Sequence, residues 1–258
     1  MKYKIQILTL IIILTFSFGY CSTTVKADTD TYLSMHNNLI KDYKGKRYKL
    51  FEKMFLNEVK KGTNKKKGLD VNCSYNQLLK YINRLERTKY FAYTEEQLIS
   101  TLVYYSSYDT NEIVAFFDFG KVQKIKKDSE YNKSQVKKAV KKLKLNKNVK
   151  EKDAAMRICK YFGKICDYDY SYSKTDAKDC FKGKGVCSAY ARAYYLVSNY
   201  VGLKCKTVSG NGNSNGKWMP HQWNRVKVNN SWYYIDPTWY DTTSKYYLSK
   251  TLWKDHNR

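Results

Sequence analysis

The chain has 258 residues, with 48 lysines and arginines against 23 acidic residues, for a net charge of +25 at pH 7. Hydrophobic residues make up 43% of it and prolines number only two, which excludes a collagen-like, a proline-rich and a largely disordered chain. This length allows one sizeable domain or two small ones. The strong positive charge predicts anionic surroundings, such as a nucleic acid, an anionic lipid surface or an anionic cell-wall polymer.

The first 27 residues have the pattern of a cleaved secretory signal peptide. A short basic start precedes an apolar run from Ile5 to Phe18. This run of about 14 residues is too short for a transmembrane helix, which needs about 20. Val25 and Ala27 stand where a signal peptidase reads small residues, so cleavage is expected after Ala27 and the mature chain begins at Asp28. A retained anchor and a lipoprotein modified at Cys21 are the alternatives.

No second hydrophobic segment of this kind follows in the sequence. The mature form is therefore predicted to have no transmembrane helix and to be secreted, either extracellular or associated with the cell wall.

The rest of the chain divides by its sequence pattern near residue 150. Residues 28–150 are rich in lysine and mostly helical in pattern, with a capping box at Thr94 ahead of an apolar helical stretch. Residues 151–258 predict helices and then an antiparallel sheet, whose strands dominate beyond Pro220. The glycine-rich segment 209–216 is predicted to be a flexible loop. This order predicts an α+β domain after a basic, mostly helical N-terminal region.

Six cysteines remain once the signal peptide is removed, and this even number would allow three disulfides in a secreted chain. A domain of this size does not depend on disulfides. Cys159 and Cys166 lie two turns apart on a predicted helix, about 10 Å, which exceeds the limit of about 7 Å for a bridge. We interpret most of the cysteines as small buried hydrophobic residues, and the pairing of the others stays open.

Only three histidines are present, so an imidazole base for a thiol or hydroxyl nucleophile must be one of them. His36 lies on a polar N-terminal segment. His256 lies close to the end of the chain, where chains fray. His221 lies at the boundary between the glycine-rich segment and a predicted strand, so it is the histidine expected to be held rigidly.

Cys187 is the cysteine best placed to act as a nucleophile. It opens a predicted helix that ends at Gly202. The first turn of a helix presents unpaired N–H groups and the positive end of the dipole, which favour a thiolate and can bind an oxyanion. Cys180 is predicted to lie in the preceding loop, without a helix start. Taken alone, Cys187 could equally be a core cysteine.

The register of a predicted hairpin selects Asp236 as the partner of His221. Asn229-Asn230 is typical of a two-residue turn with positive φ angles. Asp236 then lies diagonally across from His221 on one face of the sheet, about 7–8 Å away at the backbone. A carboxylate there would orient the imidazole and stabilise its charged form. An aspartate before Pro237 is also typical of a turn, so the assignment depends on Cys187, His221 and Asp236 together.

Three segments together resemble the core motifs of the transglutaminase-like superfamily: residues 185–191 (GVCSAYA), 221–224 (HQWN) and 236–241 (DPTWYD). The resemblance implies a papain-like α+β fold, in which the helix that carries the cysteine packs on an antiparallel sheet. It also implies a catalytic triad, carried here by Cys187, His221 and Asp236. Calcium-dependent animal relatives use acidic clusters that we do not find in this sequence, so no metal and no other cofactor is predicted.

The chemistry that the resemblance implies is acyl transfer from an amide, through a cysteine thioester, to an amine or to water. We therefore predict a secreted bacterial acyltransferase or amide hydrolase that acts on a protein or a cell-wall peptide. The alternative is a non-catalytic cationic module that binds cell surfaces or polyanions on the same fold. The charge favours anionic cell-wall polymers as further partners, and no specific nucleic acid is predicted.

Aromatic residues near the motifs are candidates for contact with the substrate. Trp223, Trp239 and Tyr170 are predicted to line the substrate site, although core packing explains the tryptophans equally well. The backbone N–H of Cys187 is the first predicted oxyanion donor. The second stays open among the tyrosines at positions 168, 170 and 172.

Overall fold

The computed structural model describes residues 46–71, 73–109 and 112–258. The predicted signal peptide and His36 lie outside these residues. Contacts divide the chain into two compact units, Met1–Lys127 and Asp128–Arg258. The division falls inside one continuous helix, Phe119–Lys142, whereas the sequence pattern placed a boundary near residue 150. None of the helices in the described ranges combines the length and the apolar character that crossing a membrane requires.

The first unit combines helices with an antiparallel sheet whose strand order is β1–β3–β2. Its elements are α1 (Lys46–Lys60), β1 (Lys66–Val71), α2 (Tyr75–Leu85), a 3-10 turn (Leu98–Thr101), β2 (Leu102–Asp109), β3 (Glu112–Asp118) and the first part of α3 (Phe119–Lys142). Buried rings of α1 and β3 form its core, with Phe55 edge-on to Phe117 at 5.1 Å between ring centroids.

The α-helix expected after Thr94 is wrong. The Thr94 hydroxyl does accept a hydrogen bond from the N–H of Glu96, at 3.1 Å. The chain then makes only the short 3-10 turn and continues into β2, which pairs antiparallel with β3. Pairing with a distant strand therefore decides the conformation here, over the local capping signal.

The second unit is an α+β domain, as predicted. Besides the end of α3 it contains α4 (Glu151–Ile165), β4 (Asp167–Tyr168), α5 (Ala177–Phe181), β5 (Lys184–Gly185), α6 (Cys187–Tyr200), β6 (Cys205–Ser214), β7 (Lys217–Val228), β8 (Ser231–Ile235), α7 (Pro237–Thr243) and β9 (His256–Asn257). Its antiparallel sheet has the strand order β8–β7–β6–β9, and α6 packs against β6 and β7.

Helix α6 joins the cysteine motif to the sheet that carries the histidine motif. Tyr190 and Tyr194 are fully buried on one of its faces, and the helix ends before Gly202, whose φ of +89° favours glycine. Across the interface, the buried amide of Asn224 on β7 donates a hydrogen bond to the carbonyl of Ala191, at 3.0 Å. This buried bond fixes the position of β7 relative to the helix.

The segment 209–216 is not a flexible loop as expected, because β6 runs through it to Ser214. Its glycines make room for aromatic rings. A Cβ atom added at Gly210 would meet the backbone carbonyl of Asn257 on β9 and, at 2.7 Å, the ring of Trp223. One added at Gly212 would lie 2.8 Å from the ring of Trp239. The glycines are therefore explained by the close approach of β9 and of two rings to the strand.

Candidate active site

Cys187 is the first residue of α6 and the one described cysteine that is not buried. The buried ones are Cys73, Cys159, Cys166, Cys180 and Cys205. Cys187 is a free thiol, and Val186 at the N-cap offers no side-chain hydrogen bond to the helix. The N-terminus of α6 therefore has no hydrogen bond from an N-cap side chain.

Cys180 lies in α5 and is fully buried, so the expected loop position is wrong. It belongs to the core beneath the site rather than to its surface.

The loop between β4 and α5 is hydrogen-bonded to the residues on either side of Cys187. Strand β4 pairs parallel with β5, which leads directly into Cys187. The N–H of Val186 donates to the carbonyl of Lys174 at 2.8 Å, and the Ser188 hydroxyl donates to the carbonyl of Thr175 at 2.9 Å. These bonds hold the loop close to the exposed thiol.

The hairpin between β7 and β8 has the predicted register. Asn229 and Asn230 have φ angles of +46° and +65°, as a two-residue turn of this type requires. Val228 pairs with Ser231 across the turn. As a result, His221 Nε2 lies 2.7 Å from Asp236 Oδ2.

The Asp236 carboxylate is fully buried and receives four hydrogen bonds. Its Oδ1 accepts from the backbone N–H groups of Thr238 and Trp239, at 2.9 and 3.3 Å, and so caps the N-terminus of α7. Its Oδ2 lies within hydrogen-bond distance of two histidine rings, His221 at 2.7 Å and His256 at 3.2 Å. The carboxylate is therefore held at both oxygens.

The pair carries opposite charges at neutral pH. Burial disfavours the charged ring of His221, but the Asp236 carboxylate outweighs this effect and raises the pKa of His221 to about 10, with a further contribution from a hydrogen bond to Cys187. Burial likewise opposes the charge of Asp236, yet His221 and His256 lower the pKa of that carboxyl to about 2. Because Nε2 of His221 faces Asp236, Nδ1 is the ring nitrogen that remains for the predicted contact with the Cys187 thiol.

Two tryptophans stack on the His221 ring. Trp239 lies nearly parallel to it at 4.9 Å between ring centroids. Trp223, two residues after His221 on β7, lies at 5.8 Å between ring centroids. Trp223 is fully buried, so it packs the site from within, whereas Trp239 is partly exposed. Contact of these two residues with a substrate stays a prediction.

Among the three tyrosines considered as oxyanion donors, Tyr168 is the least exposed. Burial raises the pKa of the Tyr168 hydroxyl, and the charge of Cys187 acts in the same direction, so the hydroxyl keeps its proton. Tyr170 and Tyr172 are 77% and 61% exposed. Tyr170 contacts Tyr168 edge-on at 5.1 Å, and its predicted role in substrate binding stays untested.

The loop that carries these tyrosines is organised by Asp169, which the sequence analysis did not single out. Its buried carboxylate accepts hydrogen bonds from the side chains and N–H groups of Ser171 and Ser173 and from the N–H of Lys174. The Ser171 hydroxyl contributes most to lowering the pKa of this carboxyl. An aspartate followed by serines is typical of such a turn, so this signal was present in the sequence.

His256 corrects a further expectation. Instead of fraying, it lies in β9, where it pairs with Gly212, and its side chain is fully buried against Asp236. Sequence reasoning missed it because nothing local marks a two-residue strand near the end of a chain.

His221, Asp236 and His256 also form a group in which the potential ligand atoms lie within 4.8 Å of one another, close enough for a metal ion. Both oxygens of the carboxylate are already engaged by hydrogen bonds from protein groups. We therefore treat the three residues as a hydrogen-bond network.

Comparisons with known proteins find a family model and solved structures that are similar to parts of this chain. Residues 137–237, which contain Cys187, His221 and Asp236, match the model of the Transglutaminase-like superfamily. No curated protein matches the chain. Two solved structures resemble it at 16% identity: a TGase, with a TM-score of 0.41 over 71% of this chain, and a cysteine protease candidate from Cytophaga hutchinsonii, with a TM-score of 0.36 over 42% of this chain.

The chain spans 54% of the TGase chain and 37% of the second chain. The segment 137–237, which matches this family model, contains Cys187, His221 and Asp236, and the structure brings His221 and Asp236 into contact.

Proposed function

We propose that this protein is a secreted bacterial thiol enzyme that transfers the acyl group of an amide, through a thioester on Cys187, to an amine or to water. One observation supports the proposal: His221 lies 2.7 Å from the buried Asp236 carboxylate, and the half-exposed Cys187 at a helix start contributes with Asp236 to raising the pKa of that ring. This is the arrangement that activates a thiol by an adjacent base oriented by a third group.

In the first half of the reaction, Cys187 Sγ attacks the carbonyl carbon of the amide, with the thiol proton already held on His221. The N–H of Cys187 and the hydroxyl of Tyr168 stabilise the resulting oxyanion. The imidazolium of His221 then donates its proton to the leaving amine, the C–N bond breaks, and the thioester remains on Cys187.

In the second half, His221 is neutral and accepts a proton from the incoming amine or water. The new bond to the carbonyl carbon forms, the C–S bond breaks, and the proton stays on His221, which restores the starting state. Asp236 keeps its negative charge throughout and orients the ring.

The substrate class follows from charge and predicted localisation. A strongly basic chain with a predicted signal peptide suits anionic proteins or cell-wall peptides outside the cell, with anionic cell-wall polymers as a means of retention.

The test is to incubate the mature chain with a glutamine-containing protein and a fluorescent amine, and to follow both incorporated fluorescence and ammonia. Incorporation shows transfer to an amine, and ammonia without incorporation shows hydrolysis of the carboxamide. The proposal is contradicted if incorporation, ammonia and cleavage of protein or cell-wall peptides are all absent. The cationic binding module is then the remaining alternative.

Tyr168→Phe tests the assignment of the second oxyanion donor. The variant removes only the hydroxyl that we propose as the second oxyanion donor, so we expect kcat to fall by about 10- to 100-fold while KM changes little. Tyr172→Phe, on the exposed part of the same loop, is the matched comparison and should change kcat by less than about twofold. Equal effects of the two substitutions on kcat would contradict the assignment.

A further inference from the structure

The second histidine on Asp236 is built into the fold. His256 Nε2 lies 3.2 Å from Asp236 Oδ2, the same oxygen that His221 contacts. The other ring nitrogen, Nδ1, lies 2.8 Å from an oxygen of Asp255. Both ring nitrogens thus face carboxylate oxygens, which accept hydrogen bonds.

A chain of contacts supports this histidine from behind. Tyr246 donates a hydrogen bond to the other oxygen of Asp255. Three tryptophan rings surround the imidazole, Trp239 at 4.4 Å, Trp223 at 4.9 Å and Trp253 at 5.0 Å between centroids. No part of the His256 side chain is exposed. Such packing leaves the ring one orientation, the one that directs Nε2 at Asp236.

We propose that His256 is a positioning residue for the reaction, which holds the Asp236 carboxylate in the orientation that keeps His221 directed at Cys187. The inference rests on the proposed function of the site. Without His256, one of the four donors to a fully buried carboxylate is lost. The carboxylate would then be fixed at Oδ2 by His221 alone, the residue that it is meant to orient.

The contact between His256 and Asp236 affects the pH at which Asp236 loses its charge. The hydrogen bond and the charge of His256 both lower the pKa of Asp236. The other titratable groups that act with Asp236 are His221 on β7, Cys159 on α4 and Tyr246 before β9. Burial raises the pKa of the Cys159 thiol well above its ordinary value, and that of Tyr246 is raised to about 12, so neither titrates in acid.

The direction in which the pH dependence moves when His256 is removed follows from the shift in the pKa of Asp236. A carboxyl whose pKa is lowered by folding stabilises the folded site above its unfolded pKa, and this stabilisation is lost as the pH falls through the folded pKa. Removing His256 raises the folded pKa of Asp236. The acid limb of any process that depends on the charged His221–Asp236 pair then moves to higher pH.

The experiment measures the rate of Cys187 alkylation by iodoacetamide between about pH 1 and 8 in the full mature chain, because this readout needs no substrate. For His256→Phe, which keeps a ring in the cavity, we expect the midpoint of the acid limb to rise by about one pH unit. His256→Gln keeps a donor toward Asp236 without the charge, so its midpoint should rise by about half as much.

Trp253→Phe is the matched control, since Trp253 packs on His256 without contacting Asp236. Trp253→Phe should lower the melting temperature and leave the midpoint of the acid limb unchanged. The His256 variants would give the same result if His256 had only a structural role. If His256→Phe fails to fold, the midpoint of the acid limb measured for His256→Gln tests the proposal in its place.

A wild-type chain with a reactive Cys187 and an unchanged midpoint in the folded His256 variants overturns this inference alone. A wild-type Cys187 that reacts no faster than the buried cysteines overturns the proposed function, and the inference with it.

Discussion

Replacing Cys187 with serine is expected to abolish acyl transfer, with a loss in kcat/KM of at least about 10³-fold. The pKa of His221 is raised to about 10, mainly by Asp236, so the ring already carries a proton at neutral pH. It therefore cannot accept one from a serine hydroxyl, which stays protonated and weakly nucleophilic. The volume change is small and the position is half-exposed, so the melting temperature should stay within a few degrees of the wild type.

Cys180→Ser is the matched control for this substitution. It makes the same chemical change at a fully buried position in α5, away from the exposed thiol. We expect it to keep most of the activity and to lower the melting temperature, because a hydroxyl replaces a buried thiol. Reversed phenotypes, with Cys180→Ser inactive and Cys187→Ser active, would show that the wrong cysteine has been assigned.

The second large effect is expected for Asp236→Asn, with a loss in kcat of about 10³- to 10⁴-fold. The substitution removes the main charge that keeps His221 protonated, so the carboxylate no longer outweighs burial, which lowers the pKa of the ring. Asparagine is a good N-cap, so the cap of α7 is retained. Alanine would remove that cap as well, at a cost of about 1 kcal/mol, and would confuse activity with stability.

Asp241→Asn separates the role of Asp236 from that of another aspartate in the same motif. Asp241 accepts a hydrogen bond from the Tyr190 hydroxyl, at 3.0 Å, and does not contact His221 in the described structure. We expect it to keep activity within about threefold of the wild type. Loss of activity in Asp241→Asn with retention in Asp236→Asn would contradict both the hairpin register and the proposed triad.

The sequence was informative where local chemistry and side-chain period decide the structure. The two asparagines at 229–230 specify a turn length, the turn specifies which residues face each other, and this was enough to bring Asp236 to His221. The start of α6 at Cys187 and its end before Gly202 are likewise set by neighbouring residues.

The sequence was misleading where distant packing decides the structure. Gly210 and Gly212 favour a loop by themselves, but β7 pairs along the whole segment and the rings of Trp223 and Trp239 fill the space that glycine leaves. His256 is fixed in turn by pairing with Gly212 and by those same rings. Neither contact leaves a periodic pattern in the sequence, so the second histidine of the site could be found only in the folded chain.

The most direct test of the proposed site is the reactivity of each cysteine toward iodoacetamide at about pH 6, read by peptide mass spectrometry on the folded mature chain. A thiol that has given its proton to His221 should react at this pH at least about tenfold faster than the buried cysteines, and labelling of Cys187 itself should slow by at least about tenfold in Asp236→Asn. If Cys187 is labelled no faster than Cys180 in the wild-type chain, the histidine–aspartate pair does not activate it, and the proposed thiol enzyme is contradicted.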